Sequence, residues 1–358
     1  MRPSKATIDL AALRGNLEAA ARLSPASKNV AVIKANGYGH GMVEAAYALQ
    51  STADALAVAT IDEALSLRAS GVDGPLLVLQ GVGARTDAEE AAAHGLWLML
   101  HEPGQVETLL SLRGETPLTA WLKLDTGMHR LGFSPADAEN AFRALAASPR
   151  LLRPVVLCTH LACADDLDSP VTRRQLSAFN AFAENKEASL SIANSAGIVH
   201  WPESRADWNR PGIMLYGCDP MGAFDGGAAG LEAVMTVSSE IMAIRDIPAG
   251  EGVGYGHRWK AETPARIGTV SIGYGDGYPR HAPSGTPVLV RGKRVPLVGT
   301  VSMDMITVDL TGHEEVRVGD PVEVWGKNLP VNEVAHHAGT IGYELLAGMT
   351  ARLPRVYE

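Results

Sequence analysis

Short apolar runs recur along the first two thirds of the chain, and each is followed by a loop with Gly, Asp or Ser and then by an Ala-rich stretch. Runs of this length that are rich in β-branched residues and bounded by turn residues are typical of buried strands. Eight such runs occur: VAVIKA (30–35), ALAVAT (55–60), PLLVLQ (75–80), LWLML (96–100), TAWLKLDT (119–126), RPVVLCTH (153–160), LSIAN (190–194) and RPGIMLYG (210–217).

The segments between the runs carry apolar residues at helical spacing, as in IDEALSLRAS and SPADAENAFRALAAS. Strands that alternate with helices indicate right-handed βαβ crossovers and a parallel sheet. Eight repeats of this kind predict an α/β fold, a (β/α)8 TIM barrel. A doubly wound open sheet is the alternative if one element has been miscounted.

The pattern changes near residue 230, where helical spacing gives way to short alternating runs with Gly and Pro. This predicts a second, mainly β domain at 231–358 after a barrel at 1–230, with GAFDGGAAG (222–230) as the joint. The early run ATIDL (6–10) precedes the barrel repeats, so these residues could be donated to the sheet of the second domain.

Composition restricts the function classes further. The chain of 358 residues has a formal net charge of −9 without a basic block, which argues against nucleic acid and against an anionic membrane surface. The first twenty residues contain no apolar leader, so a cytoplasmic location is expected. The three cysteines, Cys158, Cys163 and Cys218, include no CxxC pair, and no metal site is predicted.

Polar residues cluster where the predicted strands end, which is where barrel enzymes carry their chemistry. Lys34 ends the first strand, Arg130 follows the fifth, His160 ends the sixth and Ser195 follows the seventh. Arg210 opens the eighth strand and does not fit, unless the true strand is the preceding RADWN.

Each residue also has a structural interpretation. A strand-end lysine often extends to solvent, a histidine beside a strand is often structural, and Arg130 could pair with Asp125 to hold its loop. Together they favour a site, because scattered polar residues would seldom converge on one face.

A lysine in an apolar barrel mouth offers a neutral amine for a Schiff base, because burial lowers its pKa. An aldolase would need no more than that. NSAG (194–197) and RPGI (210–213), however, offer a hydroxyl and backbone N–H groups where barrels commonly bind phosphate. A Schiff-base lysine with a phosphate site indicates pyridoxal 5′-phosphate.

Long motifs throughout the chain resemble the alanine racemase family of fold-type III pyridoxal-phosphate enzymes. They are AVIKANGYGHG (31–41), KLDTGMHRLG (123–132), TH (159–160), NSAGI (194–198), RPGIMLYG (210–217), GVGYGHRW (252–259), SIGYGDGYPR (271–280) and GTVSMDMITVDL (299–310). The resemblance implies a barrel and a β domain in a head-to-tail homodimer that shares its active sites and interconverts L- and D-alanine.

The resemblance also implies a role for each matching residue. Lys34 and Tyr255 are the two catalytic bases, with Tyr255 reaching the partner subunit's barrel. Arg130 and the backbone of Met303 bind the substrate carboxylate, and Tyr274 lies in the entryway. The implied cofactor contacts are Lys34, Tyr38, His160, Ser195, Arg210, Gly212, Ile213 and Tyr343.

Two bases on opposite faces of a planar intermediate would give inversion directly. Tyrosine ordinarily has a pKa of about 10, so a chain through His160 to Arg210 is expected to stabilise the phenolate of Tyr255. Arg210 opposite the pyridine nitrogen would leave that nitrogen neutral, which favours a racemase over the related barrel decarboxylases.

Two matches are variable among relatives. Lys123 stands where some members carry a carbamylated lysine, and His129 stands where many have glycine. The rivals that remain are a decarboxylase of basic amino acids, a non-catalytic pyridoxal-phosphate carrier and a racemase of broader specificity. The last of these differs from an alanine-specific enzyme in the side chains that it accepts, which depends on pocket volume.

Overall fold

A computed structural model describes residues 3–114 and 117–358 as two compact units. The barrel unit consists of Asn16–Gly37 and Met42–Leu215. The β unit consists of the residues up to Gly15, Tyr38–Gly41 and Tyr216–Glu358. Its long C-terminal segment starts at Tyr216 in this division, and the sequence suggested a boundary near residue 230.

The chain begins with strand β1 (Lys5–Ile8) and helix α1 (Leu10–Leu23). The strands of the barrel unit follow: β2 (Lys28–Val32), β3 (Ala55–Val58), β4 (Leu76–Val78), β5 (Trp97–Leu100), β6 (Ala120–Lys123), β7 (Val155–Cys158), β8 (Ala188–Ser191) and β9 (Trp208–Asn209). The helices between them are α2 (Lys34–Tyr38), α3 (Met42–Leu49), α4 (Ile61–Ala69), α5 (Arg85–Ala93), α6 (Pro103–Ser111), α7 (Pro135–Ala147), α8 (Val171–Ala183) and α9 (Ser195–His200).

The eight strands pair in parallel in the order β8-β7-β6-β5-β4-β3-β2-β9, which confirms the predicted barrel. Side chains complete the circle between the two end strands. The Asp207 carboxylate accepts the Leu190 N–H at 2.7 Å, and the Ser191 hydroxyl donates to the Trp208 carbonyl at 2.8 Å. Strands β3, β4, β6 and β7 are buried along their whole length, as expected of a sheet covered by helices.

Three tryptophans close the end of the barrel where the strands begin. Trp97 and Trp208 open their strands and Trp121 is the second residue of β6, and their ring centroids lie 5.6–6.4 Å apart. Aromatic packing of this kind fills the interior with side chains. The opposite end, where the strands finish, is left for polar groups.

Two strand assignments need correction. The eighth strand is Trp208–Asn209 and not RPGIMLYG, in which Ile213–Tyr216 form a 3-10 helix. Pro211 has no N–H to donate to a ladder, and a short apolar run does not distinguish a strand from a buried helical turn. The first strand ends at Val32, so Lys34 follows it and begins α2.

The β unit contains β1 together with β10 (Met235–Ile247), β11 (Gly252–Val253), β12 (Trp259–Lys260), β13 (Ala265–Val270), β14 (Pro287–Val290), β15 (Lys293–Pro296), β16 (Ile306–Asp309), β17 (Pro321–Trp325) and β18 (Arg355–Tyr357). The main order is β15-β14-β17-β10-β1-β18, and β13 bridges β10 and β16. Strand β1 pairs antiparallel with β10 and parallel with β18.

Helices do not disappear from this region as the sequence suggested. The β unit also contains α10 (Val331–Ala338) and α11 (Gly342–Ala347), and α10 ends at Gly339 in the left-handed conformation. Within 3–114 and 117–358, no helix is long and apolar enough to span a membrane.

Candidate functional site

Five cationic or basic side chains gather in the barrel unit, next to the ends of its strands. They influence one another electrostatically, and the positive neighbours lower the pKa values of Lys34, Lys123 and His160. The five are Lys34, Lys123, Arg130, His160 and Arg210. A cluster of one sign in a partly buried place is suited to anions.

Lys34 is half-buried one residue beyond the last strand hydrogen bonds of β2. Burial lowers the pKa of its amine, and Arg130 lowers it further, whereas the carboxylate of Glu63 acts in the opposite direction. In the described part of the chain its Nζ makes no hydrogen bond or ion pair. The amine is therefore available for a ligand.

The residues after Lys34 form a left-handed turn. Ala35, Asn36 and Gly37 have φ values of 53°, 53° and 61°. The Ala35 N–H donates to Oε1 of Glu63 at 2.7 Å, and the Asn36 side chain accepts the Met42 N–H at 3.0 Å. Left-handed conformations are unfavourable for non-glycine residues and persist only where surrounding contacts hold them, often at functional sites.

Arg210 directly follows β9, so the corrected strand assignment also places this residue at a strand end. It is 5% exposed, and burial lowers the pKa of its guanidinium. Its donors go to the Ser191 hydroxyl at 2.5 Å and to the carbonyls of Thr159 and Ile192 at 2.5 and 3.1 Å. No carboxylate of the described chain pairs with it, so its positive charge is not neutralised.

Lys123 ends β6, beside Cys158 in the register of β6 and β7. It is 8% exposed, and burial lowers the pKa of its amine. Burial and the charge of Arg210 place the pKa of His160 well below its ordinary value, so the ring is neutral near pH 7. Among described residues, neither the Lys123 amine nor the His160 ring has a hydrogen-bond partner.

The loop with Arg130 is held by Asp125, but not through the pairing that the sequence allowed. One oxygen of Asp125 accepts the N–H groups of Gly127, Met128 and His129 at 3.0–3.1 Å, and the other contacts Nδ1 of His129 at 3.0 Å. His129 has φ 55°. That conformation favours glycine. Arg130 itself is exposed and, within the described ranges, makes no hydrogen bond or ion pair.

The predicted phosphate residues of the barrel lie together. Ser195 begins α9, and the Asn194 side chain caps that helix by accepting the Gly197 N–H at 2.9 Å. The buried Ser195 hydroxyl oxygen accepts the N–H groups of Gly212 and Met214 at 3.0 and 3.3 Å. These hydrogen bonds place the start of α9, at Ser195, beside the segment that contains Gly212 and Ile213.

Two further predicted cofactor residues lie in the β unit, beside a tyrosine that the sequence did not single out. Tyr38 stacks on Tyr216, with centroids 4.8 Å apart, and is tilted against Tyr343 at 6.3 Å. Arg355 donates to the Gly39 carbonyl at 2.6 Å and holds this segment. Burial raises the pKa of Tyr38 to about 12, so its hydroxyl is a donor at neutral pH.

The remaining predicted residues are exposed on the β unit. Tyr255 is 75% exposed, Met303 52% and Tyr274 37%. The Tyr274 and Gly275 N–H groups donate to the carbonyls of Ser302 and Met303, so two of these residues occupy paired segments. Large apolar side chains exposed in this way mark interaction surfaces.

Glu63 is the functional candidate that motif reading missed. Thr60 and Glu63 form a capping box at the start of α4, and the pattern Thr-x-x-Glu before an apolar stretch announces such a box. The sequence offered no signal that the same carboxylate also reaches the peptide after Lys34, because that contact joins residues from different strand-to-helix repeats.

Comparisons with known proteins agree with this arrangement. The family model "Alanine racemase, N-terminal domain" matches residues 8–220, and "Alanine racemase, C-terminal domain" matches 234–357. The chain is 48% identical to the catabolic alanine racemase of Pseudomonas putida over 100% of its own length and 99% of the relative.

Solved structures are similar over the whole chain. The biosynthetic alanine racemase of Pseudomonas aeruginosa has a TM-score of 0.97 and 46% identity, with 100% of each chain covered. An alanine racemase of Bartonella henselae, solved with covalently bound pyridoxal phosphate, has a TM-score of 0.90 and 32% identity, again with 100% of each chain covered.

Proposed function

Since the chain belongs to the alanine racemase family, we propose that it binds pyridoxal 5′-phosphate and interconverts L- and D-alanine. The observation that carries the proposal is Lys34. Among the described residues its amine makes no hydrogen bond or ion pair, its pKa is lowered by burial, and the cationic groups around it suit the anions of the cofactor and the substrate.

The residues of this chain fit the cofactor. We propose that Lys34 binds it covalently and that Ser195, Gly212 and Ile213 of the barrel unit bind its phosphate. The Ser195 hydroxyl and the Gly212 N–H are already adjacent, and buried donors of this type are suited to phosphate oxygens. When bound, the cofactor withdraws electron density from the substrate Cα and makes its proton removable.

Arg210 argues for a racemase against a decarboxylase. A barrel decarboxylase predicts a carboxylate facing the pyridine nitrogen, whereas the partners of Arg210 are a hydroxyl and two carbonyls. An arginine keeps its protons, so it can donate a hydrogen bond to that nitrogen but cannot protonate it. His160 is neutral and uncharged in the same place, which is compatible with packing on the cofactor ring.

The two-base scheme requires a second copy of the chain. We propose a homodimer in which Tyr255 of one subunit serves the barrel of the other, where Lys34 removes or returns the proton on the opposite face. Arg130 binds the substrate carboxylate together with the backbone of Met303 from the partner, and Tyr274 lies in the entryway. The exposure of Tyr255, Tyr274 and Met303 supports a shared site.

Lys123 is a candidate for carbamylation, which would turn its amine into an anion able to pair with Arg130. Support comes from its burial, from the lack of a hydrogen-bond partner among residues 3–114 and 117–358, and from its lowered pKa, because only a neutral amine takes up CO2. The signal of a carbamate carbon after exposure to 13C-labelled bicarbonate, absent in Lys123→Met, would test this.

Among the relatives, one is described as catabolic and another as biosynthetic. Supplying D-alanine for cell-wall precursors and consuming it both fit a cytoplasmic racemase. A racemase of broader specificity is the alternative, and rates with L-serine and L-lysine beside L-alanine distinguish the two.

The decisive experiment combines a spectrum with an assay. The purified protein should absorb as a lysine-bound pyridoxal cofactor, and Lys34→Ala should lose that absorbance, whereas Lys5→Ala, at an exposed position, should keep it. Circular dichroism should then show loss of optical activity from L-alanine. Retained optical activity with the cofactor bound would rule out the racemase.

A further inference from the structure

Glu63 makes three backbone hydrogen bonds that join two different segments of the barrel unit. Oε2 accepts the Ala59 N–H at 2.7 Å and the Thr60 N–H at 3.4 Å, which closes the capping box of α4. Oε1 accepts the Ala35 N–H at 2.7 Å. A capping box needs only the first group of contacts, so the bond to Ala35 is an additional one.

The bond to Ala35 lies at the start of the left-handed turn. The N–H of Ala35 belongs to the peptide group that follows the Cα of Lys34, and fixing that group restricts the backbone from which the Lys34 side chain extends. Ala35 has φ 53°, where a Cβ is unfavourable. Backbone of this kind needs an external contact to keep it in place, and Glu63 supplies a charged acceptor.

Glu63 also differs in charge from the groups that surround Lys34. Arg130 acts on Lys34 with a positive charge, and Lys123, His160 and Arg210 belong to the same electrostatic cluster. The Glu63 carboxylate is the negative group that opposes burial and Arg130 at the Lys34 amine. One carboxylate therefore contacts the backbone next to the lysine and attracts its ammonium form.

We propose that Glu63 is a positioning residue for Lys34, which fixes the left-handed turn through the Ala35 N–H and supplies the counter-charge that keeps the lysine oriented for cofactor attachment. The proposal rests on the proposed function, in which Lys34 binds the cofactor. Attachment joins Nζ to the aldehyde carbon and releases the carbonyl oxygen as water, so it requires the neutral amine in the correct place.

The test measures attachment and not racemisation. Full-length protein freed of cofactor is mixed with pyridoxal 5′-phosphate over a range of pH, the rate is followed by absorbance, and borohydride trapping with peptide mass analysis assigns the product to Lys34. The rate should rise with pH to a plateau as the amine loses its proton. The pH at the midpoint of this curve depends on the charges around Lys34. The rate at the plateau depends on how well the Lys34 amine is oriented.

Glu63→Ala should lower the plateau rate roughly tenfold. The reason is that the energy of holding about one residue in the left-handed conformation corresponds to about a tenfold change in rate. The midpoint of this variant should move to lower pH, because the negative charge is gone. Glu63→Gln retains one acceptor oxygen, so it should show the same displaced midpoint with a smaller loss of plateau, and it carries the test if Glu63→Ala does not fold.

A rescue separates positioning from general stability. Adding Ala35→Gly to Glu63→Ala should restore much of the plateau, since glycine adopts positive φ freely, but should leave the midpoint displaced. Asp62→Asn is the matched control, because Asp62 is the exposed neighbour in the same first turn of α4 and contributes the same charge to it. It should behave as the unmodified protein.

Three results would count against these claims. A wild-type midpoint in Glu63→Gln would refute the role of the charge, and a wild-type plateau in Glu63→Ala would refute the role in positioning. Failure of the unmodified protein to attach cofactor at Lys34 would instead refute the proposed function, and this inference with it.

Discussion

The polar groups of the barrel unit and those of the β unit differ in burial and in completeness. In the barrel unit, Arg210 and Lys123 are at least nine-tenths buried, and the cluster of positive groups is already assembled at the strand ends. In the β unit, Tyr255, Tyr274 and Met303 are exposed, and they have no charged partner in the part of the chain that is described.

This difference separates two tasks. Cofactor binding requires groups that are desolvated and fixed before the ligand arrives, and the buried Lys123 and Arg210 of the barrel unit are of this kind. The side chain that we propose for proton transfer on the second face, Tyr255, is exposed in the single chain. The comparison therefore predicts that cofactor attachment is a property of the chain and that racemisation is a property of the pair.

The largest expected effect comes from mixing two inactive variants. Lys34→Ala and Tyr255→Phe should each lose activity by several orders of magnitude, but random hybrid dimers contain one intact site, so a 1:1 mixture should recover about a quarter of the wild-type activity. Racemase assays before and after subunit exchange measure this. No recovery after proven exchange would mean that each chain builds its own site.

Tyr255→Phe should also be asymmetric. Exchange of the α-proton with solvent should fall more for L-alanine than for D-alanine if Tyr255 serves the L face and Lys34 the D face. Deuterium incorporation into each enantiomer, followed by mass spectrometry, gives the two rates. Equal retention of both would refute the assignment of opposite faces.

The next effect should separate the two regions within one chain. Gly273 has extended backbone, but a Cβ there would lie 2.3 Å from the Ser302 carbonyl oxygen and 2.6 Å from that of Met303. Gly273→Ala should therefore push apart the segments carrying Tyr274 and Met303, cost about 1–3 kcal/mol in free energy of unfolding and raise KM for alanine.

The matched control for that change is Gly15→Ala, because nothing lies within 4 Å of its Cβ position and alanine favours a helix. Cofactor attachment to Lys34 should be unchanged in both variants. A loss of attachment in Gly273→Ala would show that the two regions cannot be separated in this way.

Several of these features could be predicted from sequence, and the reasons are local. The alternation of strand and helix patterns predicted the barrel, because the apolar pattern within each repeat reflects which residues of that repeat are buried. The eighth strand was misplaced because Trp208–Asn209 is too short to show a period, whereas the apolar run after Pro211 looks like a strand but forms a 3-10 helix. Contacts between repeats, such as Glu63 with Ala35, leave no pattern in the sequence.

A smaller effect concerns the buried lysine. In CO2-free buffer, Lys123→Met should raise the free energy of unfolding by about 1–3 kcal/mol at neutral pH while activity falls, because it removes a buried polar group that has no hydrogen-bond partner in the described part of the chain. The folded-state pKa of Lys123 is lowered, so the unfolded chain binds more protons between that pKa and the ordinary 10.5. The cost of burying the Lys123 ammonium in the unmodified protein thus disappears as pH rises through this window. The extra stability of Lys123→Met should therefore shrink over the same pH range.

Urea unfolding at neutral and alkaline pH measures this gain. A Lys123→Met variant that is less stable than the unmodified protein in CO2-free buffer would show that the amine has a stabilising partner. With bicarbonate present, by contrast, a carbamate on Lys123 should reverse the sign and make the unmodified protein the more stable of the two.

The smallest effect should come from His129, whose side chain has two opposing effects on the free energy of unfolding. His129→Gly relieves the positive φ of 55° but loses the contact of the exposed imidazole, through Nδ1, with Asp125, which is worth about 0.2–1 kcal/mol. Relief of a left-handed residue is worth about 1–2 kcal/mol, and the added freedom of glycine in the unfolded chain offsets about 0.5–1 kcal/mol of it. These contributions nearly cancel at their central values, so the net change in free energy of unfolding should stay within about 1 kcal/mol of zero.

Asp125→Ala is the contrasting variant, because it removes the acceptor of three backbone N–H groups and should cost about 1–2 kcal/mol, as loss of a cap does. If the loop is shaped by Asp125, His129→Gly should leave KM for alanine unchanged, whereas Asp125→Ala should raise it by displacing Arg130. A rise in KM with His129→Gly alone would mean that the imidazole acts on the substrate pocket directly. The exposed His129 of the barrel unit would then take part in substrate binding, as we propose that the exposed Tyr255 of the β unit takes part in proton transfer.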